Sequence, residues 1–534
     1  MRTLIAISLA FACAQQNPPP ARSPEYTLLI RGGRVIDGTG SPARRTDLGV
    51  RGDTIAVIGD LRSATAETTI DAAGLVVAPG FIDLLGNSQA AVLLDPLLEG
   101  KVRQGVTTEV TGEGTSPAPI DERMAAEMER TKPEGWPAVS WRSLSDFKRV
   151  VEKRGTAVNF AFYIGATNPR EIVLGHADRA PSPEELKKME AIVDQAVKDG
   201  AVGLASALIY PPGRFATTEE LTAMARRAGS YWTHLRNESS RIEEAIDEAL
   251  RIGREANVPV NIFHLKIGGQ ENWGRMPAVI RKIEAARKSG VDVAANIYPF
   301  TATSTELTST VPAWALEGGY AQFQARLRDP ETRKKIAGAL RAGRLSERGA
   351  STVLVRGTGK RLDALAREMG VDAAEAALRL FAQNERSSPV AIFFSLSEDD
   401  MKLALQQPWV AVGSDSGAVV GAMRNRGAHP RAYATFSRIL RYVREEKLIT
   451  LEEAIRKFTS LAASRAGLSD RGTLAVGKKA DIVIFDQARV RDLSTYEDPH
   501  QFSIGMRDVI VNGVFTLRDG KMTRNLPGRM LKRN

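Results

Sequence analysis

Four polar residues of this chain close apolar runs, and polar residues that end a strand are the ones a parallel barrel turns into its mouth. They are Glu113 in Val106-Thr-Thr-Glu-Val-Thr-Gly-Glu113-Gly114, His234 in Tyr231-Trp-Thr-His234-Leu-Arg-Asn237, His264 in the run from Val258 to Lys266, and Asp415 in Val410-Ala-Val-Gly-Ser-Asp415-Ser-Gly417. Two of the five histidines thus end successive apolar runs thirty residues apart. Projected into one mouth, they could share a divalent ion with a carboxylate. Three protein ligands of His₂Glu type with an open position form a catalytic rather than a structural set, and imidazole with carboxylate suits Zn²⁺ or a similar ion. The same residues also fit a plainer role, the histidines as hydrogen-bonded packing and Asp415 as the cap of a turn. Spacing alone leaves both readings open.

What the chain lacks narrows the chemistry. Cys13 is its one cysteine, so no intrachain disulfide forms and any metal must be held by His, Asp, Glu or Lys. The balance of 73 Lys+Arg against 63 Asp+Glu gives a net charge of +10, spread along the chain. That fits an anionic substrate or a negatively charged envelope surface, and no aromatic-interleaved basic stripe points to nucleic acid. The densest basic run, Lys521, Arg524, Arg529, Lys532 and Arg533, reads as a solvated tail. With 25% charged and 43% hydrophobic residues over 534 positions, the chain can bury a large core.

The elements that must position these residues come in two textures. From Tyr26 to Pro79 short apolar runs alternate with Gly and Asp, as in Thr54-Ile-Ala-Val-Ile58, and the same texture returns in Ala480-Asp-Ile-Val-Ile-Phe485 and Val509-Ile-Val-Asn-Gly513. Both stretches predict short strands of one small β-domain built from the two chain ends. Between them, apolar strands alternate with amphipathic helices. Ser182-Pro183-Glu184-Glu185 supplies a helix cap, and Leu186, Met189, Ile192, Val193 and Ala196 form one apolar stripe that ends at Gly200. Strands near 80, 107, 159, 201, 231, 258, 291 and 409 make about eight βα units, the length of a barrel. Residues 118–156 and 301–350 read as insertions over one mouth.

The predicted order is therefore an α/β chain: the N-terminal portion of a β-sandwich at 26–79, a (β/α)₈ TIM-type barrel at 80–468, and the C-terminal portion of the sandwich with the basic tail at 469–534. Ahead of these, residues 1–14 read as an export signal cleaved after Ala14, and 15–25 as a proline-rich linker. This implies a bacterial periplasmic protein, with a lipid anchor through Cys13 as the lesser alternative. No other run reaches the roughly 20 apolar residues of a membrane span.

The chain resembles the amidohydrolase superfamily, and within it the N-acyl-D-amino-acid deacylases (D-aminoacylases), over nearly its whole mature length. The resemblance rests on Val77-Ala-Pro-Gly-Phe-Ile-Asp83, Gly105-Val-Thr-Thr108, Leu208-Ile-Tyr210, Thr233-His-Leu-Arg-Asn-Glu238, His264-Leu-Lys266, Tyr298-Pro-Phe300, Gly413-Ser-Asp415, His429-Pro-Arg431 and Gly477-Lys-Lys-Ala-Asp-Ile-Val483, all in family order. It implies the same barrel and sandwich, His234 and His264 as zinc ligands, Asp415 as acid/base, and Tyr298, Ser304 and Arg431 as the residues that hold a substrate carboxylate. Two departures follow Gly80-Phe-Ile-Asp83 and Val110-Thr-Gly112. Where the family pattern has His-x-His, this chain has Leu85-Gly86-Asn87. Where the family places a metal-binding Cys, it has Gly114, and Glu113 stands one residue early. The pattern thus implies one divalent ion on Glu113, His234 and His264, Zn²⁺ first, with Mn²⁺ or Fe²⁺ as alternatives. Asn87 could donate a hydrogen bond at the vacated position. Lys266 reads as a surface ion pair, and His176 and His500 as loop histidines.

The reaction implied is hydrolysis of the N-acyl amide of a small N-acyl-D-amino acid by metal-activated water, with Asp415 as base and then acid. Two alternatives stay open. One keeps the scaffold and changes the substrate to dipeptides, cyclic imides or lactones. The other is a binding protein without catalysis. Oligomeric state is not legible in the sequence.

Overall fold

The computed structural model describes residues 24–343 and 345–533. The expected export signal, and nearly all of the expected linker, lie outside the described residues. Among those described, no helix is long and apolar enough to cross a membrane.

Eight parallel strands pair in chain order: β1 (Phe81–Asp83), β2 (Val106–Thr111), β3 (Asn159–Gly165), β4 (Ala201–Ala207), β5 (Tyr231–His234), β6 (Val260–Ile262), β7 (Val293–Ile297) and β8 (Val410–Val412). They are buried along their whole lengths, as expected of a sheet with helices outside and side chains inside. Tyr163, Trp232 and Phe263 fill the barrel interior with ring centroids 4.8–5.6 Å apart. The helices fall where the periodicity puts them. In α1 (Pro183–Lys198), the Ser182 hydroxyl accepts from the Glu185 N–H while the Glu185 carboxylate accepts from the Ser182 N–H, a reciprocal cap.

The two chain ends meet in a second, nine-stranded sheet. Strand Val76–Pro79 pairs antiparallel with Ile482–Phe485, which joins the N-terminal half to the C-terminal half. The long first strand, Tyr26–Val35, pairs with Ala66–Asp71 along its first half and with Val76–Pro79 at its end, and a bulge between Ile30 and Gly33 marks the fork. Leu28, Ile30, Val50, Ile55, Ile482 and Ile510 form a core of their own inside it.

Two expectations change. The segment after β7 does not end at 350. Strand Thr303–Glu306 needs Val390–Phe393 as its antiparallel partner, and Val390–Phe393 also pairs with Val353–Val355, so the inserted unit closes only at Phe393. It has a separate apolar core around Leu307, Phe323, Ile336, Leu362 and Phe381. The earlier segment is mostly ordinary barrel, since Phe147 of the helix Leu144–Arg154 packs on Phe162 of β3 at 5.6 Å.

The basic end is not a solvated tail. Residues 527–531 run along the barrel: Gly528 N–H donates to Thr156 O at 2.8 Å, Phe160 N–H to Arg529 O at 2.9 Å and Leu531 N–H to Phe160 O at 2.7 Å. The Leu531 side chain joins the barrel-interior cluster, and Lys148 reaches its carbonyl at 3.1 Å. Charge made the tail look soluble, while its backbone and one leucine bind it. Truncation after Asn525 should lower the apparent melting temperature by at least about 2 °C, because a buried leucine alone contributes about 2–3 kcal/mol and a chain of this size shifts by about 1 °C per kcal/mol. An unchanged melting curve by calorimetry would place the tail back in solvent.

Candidate active site

Glu113 is presented by the two glycines that flank it. Gly112 has φ +116° and Gly114 φ +63°, and a Cβ at either would lie 2.8 Å from Tyr163 O or 2.5 Å from the Ala207 Cβ. A side chain at position 114 therefore has no room, and the one at 113 enters the mouth in its place. His234 ends β5. His264 follows β6 by two residues in the left-handed region at φ +35°, and its N–H donates to the Asn296 carboxamide oxygen of β7 at 2.7 Å. One oxygen, Glu113 Oε1, lies 3.1 Å from His234 Nδ1 and 3.1 Å from His264 Nε2. The ligand atoms of all three residues lie within 4.8 Å of one another. Ligands about 2.0–2.2 Å from a tetrahedral ion stand about 3.3 Å apart, so the donor set fits a metal ion with little movement.

A second carboxylate holds the far side of both rings. Glu238 lies 3.2 Å from His234 Nε2 and 3.1 Å from His264 Nδ1, and Lys266 Nζ lies 2.7 Å from the same carboxylate. The hydrogen bond on His264 Nδ1 is made with Lys266 Nζ, 2.6 Å away, so Glu238 acts on both rings as a close negative charge. Burial pushes Glu113 and Glu238 up, but the hydrogen bonds and charges of the two histidines outweigh it, aided at Glu238 by Lys266, and hold both carboxyls well below the usual range. Burial and Lys266 push His264 down, yet Glu238, Asp415 and Glu113 prevail and raise it to about 9. Without an ion, the surrounding carboxylates therefore favour a proton on His264, against the opposing charge of Lys266.

Asp415 follows β8, also left-handed at φ +51°, and lines the same cavity of about 330 Å³ as Glu113, His234, Glu238, Lys266, Tyr210 and Ser304. Its Oδ2 lies 2.7 Å from the Arg431 guanidinium. Burial raises the Asp415 carboxyl, Arg431 and His264 pull it down, and Glu113 pushes it up again, with a net rise. Arg431 lies face-on over Tyr298 at 4.6 Å, and its Nη2 donates to Ser304 O at 3.3 Å. His429 orients its backbone: the His429 Nε2–H donates to Ala302 O, while Nδ1 accepts from the Arg431 N–H, each at 3.1 Å. Arg431 Nε, Tyr298 OH and Ser304 Oγ are buried with no hydrogen-bond partner among the described residues.

All seven residues singled out from the sequence thus converge. Glu113, His234 and His264 form one group, and Tyr298, Ser304 and Arg431 gather about Asp415. Lys266 is a correction, since its side chain is only 9% exposed and is tied to Glu238 inside the mouth rather than at the surface. Glu238 was missed, although it stands four residues after His234 in Thr233-His-Leu-Arg-Asn-Glu238. Tyr210, edge-on to His234 at 5.7 Å with its hydroxyl 2.5 Å from Thr305 Oγ, was likewise passed over. At the vacated His-x-His position, Leu85 is fully buried in the barrel-interior cluster with Tyr163, Trp232 and Phe263. The Asn87 side chain makes no hydrogen bond to another described residue, and its backbone is left-handed at φ +52°.

The chain matches the amidohydrolase family over residues 138–517. It is 35% identical to the N-acyl-D-glutamate deacylase of Alcaligenes xylosoxydans xylosoxydans, over 95% of this chain and 96% of that one. It is 36% identical to the D-aminoacylase of the same organism, over 96% and 98%. Among solved structures, the N-acyl-D-glutamate deacylase of Bordetella bronchiseptica, complexed with zinc and a phosphonate mimic of the tetrahedral intermediate, superposes with a TM-score of 0.79 and 32% identity over 95% of this chain and all of that one.

The raised His264 sets a sign for metal binding. Below about pH 9 the metal-free site holds a proton on His264 that an ion must displace, so affinity should rise by up to about tenfold per pH unit to pH 9 and flatten above it. Chelator competition with Zn²⁺ from pH 6 to 9 measures this, and an affinity independent of pH would contradict the assignment.

Proposed function

This chain belongs to the amidohydrolase family, and we propose that it hydrolyses the amide of small N-acyl-D-amino acids with one divalent ion, zinc in first place. The zinc of the Bordetella relative supports the choice of ion. The burial of Leu85 in the barrel core, with no imidazole at 85 or 87, supports a single ion. Held by Glu113, His234 and His264, such an ion would supply an acidified water, its pKa lowered from about 15.7 toward about 7, and a polarised amide carbonyl.

The protein's own groups do the rest. Asp415, whose pKa burial has already raised, takes a proton from the attacking water and later returns it to the departing amine. Arg431, Tyr298 and Ser304 receive the α-carboxylate, for which the planar guanidinium fork is the apt partner. Arg431 now serves Asp415 as counter-ion. A substrate carboxylate that takes over Arg431 removes a charge that depresses Asp415, so binding itself makes Asp415 a better base. With the carboxylate and the carbonyl both fixed, the configuration of the carbon between them decides which face of the amide meets the water.

The observation that carries the reading is the buried guanidinium of Arg431, paired with Asp415, lying over Tyr298 and with its Nε unpartnered among the described residues, in the family that the likenesses identify. Nothing in the site favours lactones or cyclic imides, which place no free carboxylate at that spot next to the scissile bond, whereas a dipeptide shares that carboxylate and belongs in the same substrate panel.

The test is a panel of N-acetyl-D- and L-amino acids with the zinc-loaded wild type and Arg431→Met. The D-series should be cleaved and the L-series spared. Arg431→Met should raise KM for the free acids at least about 30-fold, the loss of a buried carboxylate pair, and raise KM for amidated substrates far less, while the lost Asp415 counter-ion lowers kcat for both. Equal cleavage of both series, or an unchanged KM, would overturn the reading.

A further inference from the structure

The barrel has a seam. Strands β1 and β8 are the two ends of the eight-strand order and form no ladder with each other. One long backbone bond crosses between them, from Leu84 N–H to Val412 O at 3.4 Å. Side chains close the rest. Asp83, the last residue of β1, accepts from the Ser414 N–H at 2.8 Å with one oxygen and from the Ser414 hydroxyl with the other. Into this junction runs Lys101, fully buried, from the short helix Glu99–Val102.

The Lys101 ammonium has more acceptors than protons. It lies 2.8 Å from Asp83 Oδ2, 2.8 Å from Ser414 Oγ, 2.6 Å from Ser416 O, 3.3 Å from Gly86 O and 3.4 Å from Glu109 Oε1. Burial opposes its charge, but Asp83 and Glu109 outweigh burial and keep it protonated. Ser414 and Ser416 flank Asp415. The same ammonium therefore grips the residue before Asp415 by its hydroxyl and the residue after it by its carbonyl. Asp415 is in the left-handed region, a conformation that non-glycine residues keep only where their surroundings over-determine it. Arg431 holds its carboxylate at 2.7 Å, which fixes the side chain, while Lys101 fixes the turn beneath it.

We propose that Lys101 is a positioning residue for Asp415: through Asp83, Ser414 and the Ser416 carbonyl it closes the barrel seam and locks the 414–416 turn so that the acid/base points into the mouth. Lys101 does not line the cavity and touches no reacting group, so it acts through the turn alone. The proposal rests on Asp415 being the acid/base of the deacylation above.

The test compares Lys101→Met, Asp415→Asn and the double variant, all zinc-loaded, for kcat, KM and metal content, together with a crystal structure of Lys101→Met. Lys101→Met should keep its ion and a KM within threefold of wild type, yet lose about 100-fold in kcat, the scale of loss from misplacing a catalytic group by about 1 Å. The double variant should be no slower than Asp415→Asn, since a group already lost cannot be mispositioned. The Lys101→Met structure should show Asp415 outside the left-handed region. Removing the lysine leaves Asp83 and Glu109 facing each other in a dry site, so Ser414→Ala, which keeps every charge, is the second probe, with about a tenfold loss of kcat in a folded protein. A folded Lys101→Met or Ser414→Ala with wild-type kcat, losses that multiply in the double variant, or an unmoved Asp415 would overturn the proposal. Absence of turnover in the wild type would instead count against the deacylase reading, and the position of Asp415 in the Lys101→Met structure would still decide the role of Lys101.

Discussion

Two imidazoles clamped between two carboxylates are the constraint on which the rest of this protein depends. Glu113 faces His234 Nδ1 and His264 Nε2, and Glu238 faces the opposite nitrogen of each ring. Such a cluster is costly to bury unless every charge is met, and Lys266 on Glu238 and Arg431 on Asp415 supply the balance. The cavity thus carries the carboxylates of Glu113, Glu238 and Asp415 against the cations of His264, Lys266 and Arg431. An ion entering among Glu113, His234 and His264 displaces the His264 proton, so a divalent charge raises the net charge of the site by one unit rather than two.

The barrel meets that demand by bending backbone where chemistry is wanted. His264 and Asp415 both sit just past a strand end with positive φ, and both are held by groups on neighbouring strands or helices. Asn296 takes the N–H of His264, and the Lys101 junction holds the residues on either side of Asp415. Glycine does the corresponding work at Glu113, where the missing side chains of Gly112 and Gly114 let the loop pass close to β3 and β4. The strain is local, and the neighbouring elements hold it in place.

The sequence made legible whatever is written in consecutive residues. Apolar runs ending in Glu113, His234, His264 and Asp415 revealed the strand ends, and Ser182-Pro183-Glu184-Glu185 revealed a helix start, because strand and helix periods are local signals. Glu238 and Lys266 were harder, since a loop residue gives no period and becomes meaningful only when folding brings it behind a ring. Lys101 gives no signal at all: a lone lysine on a short helix looks solvated until the ends of β1 and β8 and Glu109 of β2 converge on it. The tail from Pro527 to Leu531 misled for a related reason. Its side-chain charges suggested solvent, whereas its backbone donors and acceptors, which every sequence has, decide where it lies. The replacement of His-x-His by Leu85-Gly86-Asn87 could be read as a loss, but only the barrel interior shows that Leu85 has become core packing against Tyr163, Trp232 and Phe263.

The central claim is a single ion held by two imidazoles and one carboxylate. X-ray absorption spectroscopy of the zinc-loaded protein at one equivalent per chain tests it most directly. The account expects a first shell of nitrogen and oxygen only, at about 2.0–2.2 Å, with the outer-shell scattering of two imidazoles and no zinc–zinc vector even when excess zinc is offered and washed away. A metal–metal vector, or a spectrum with fewer than two imidazoles, would contradict it.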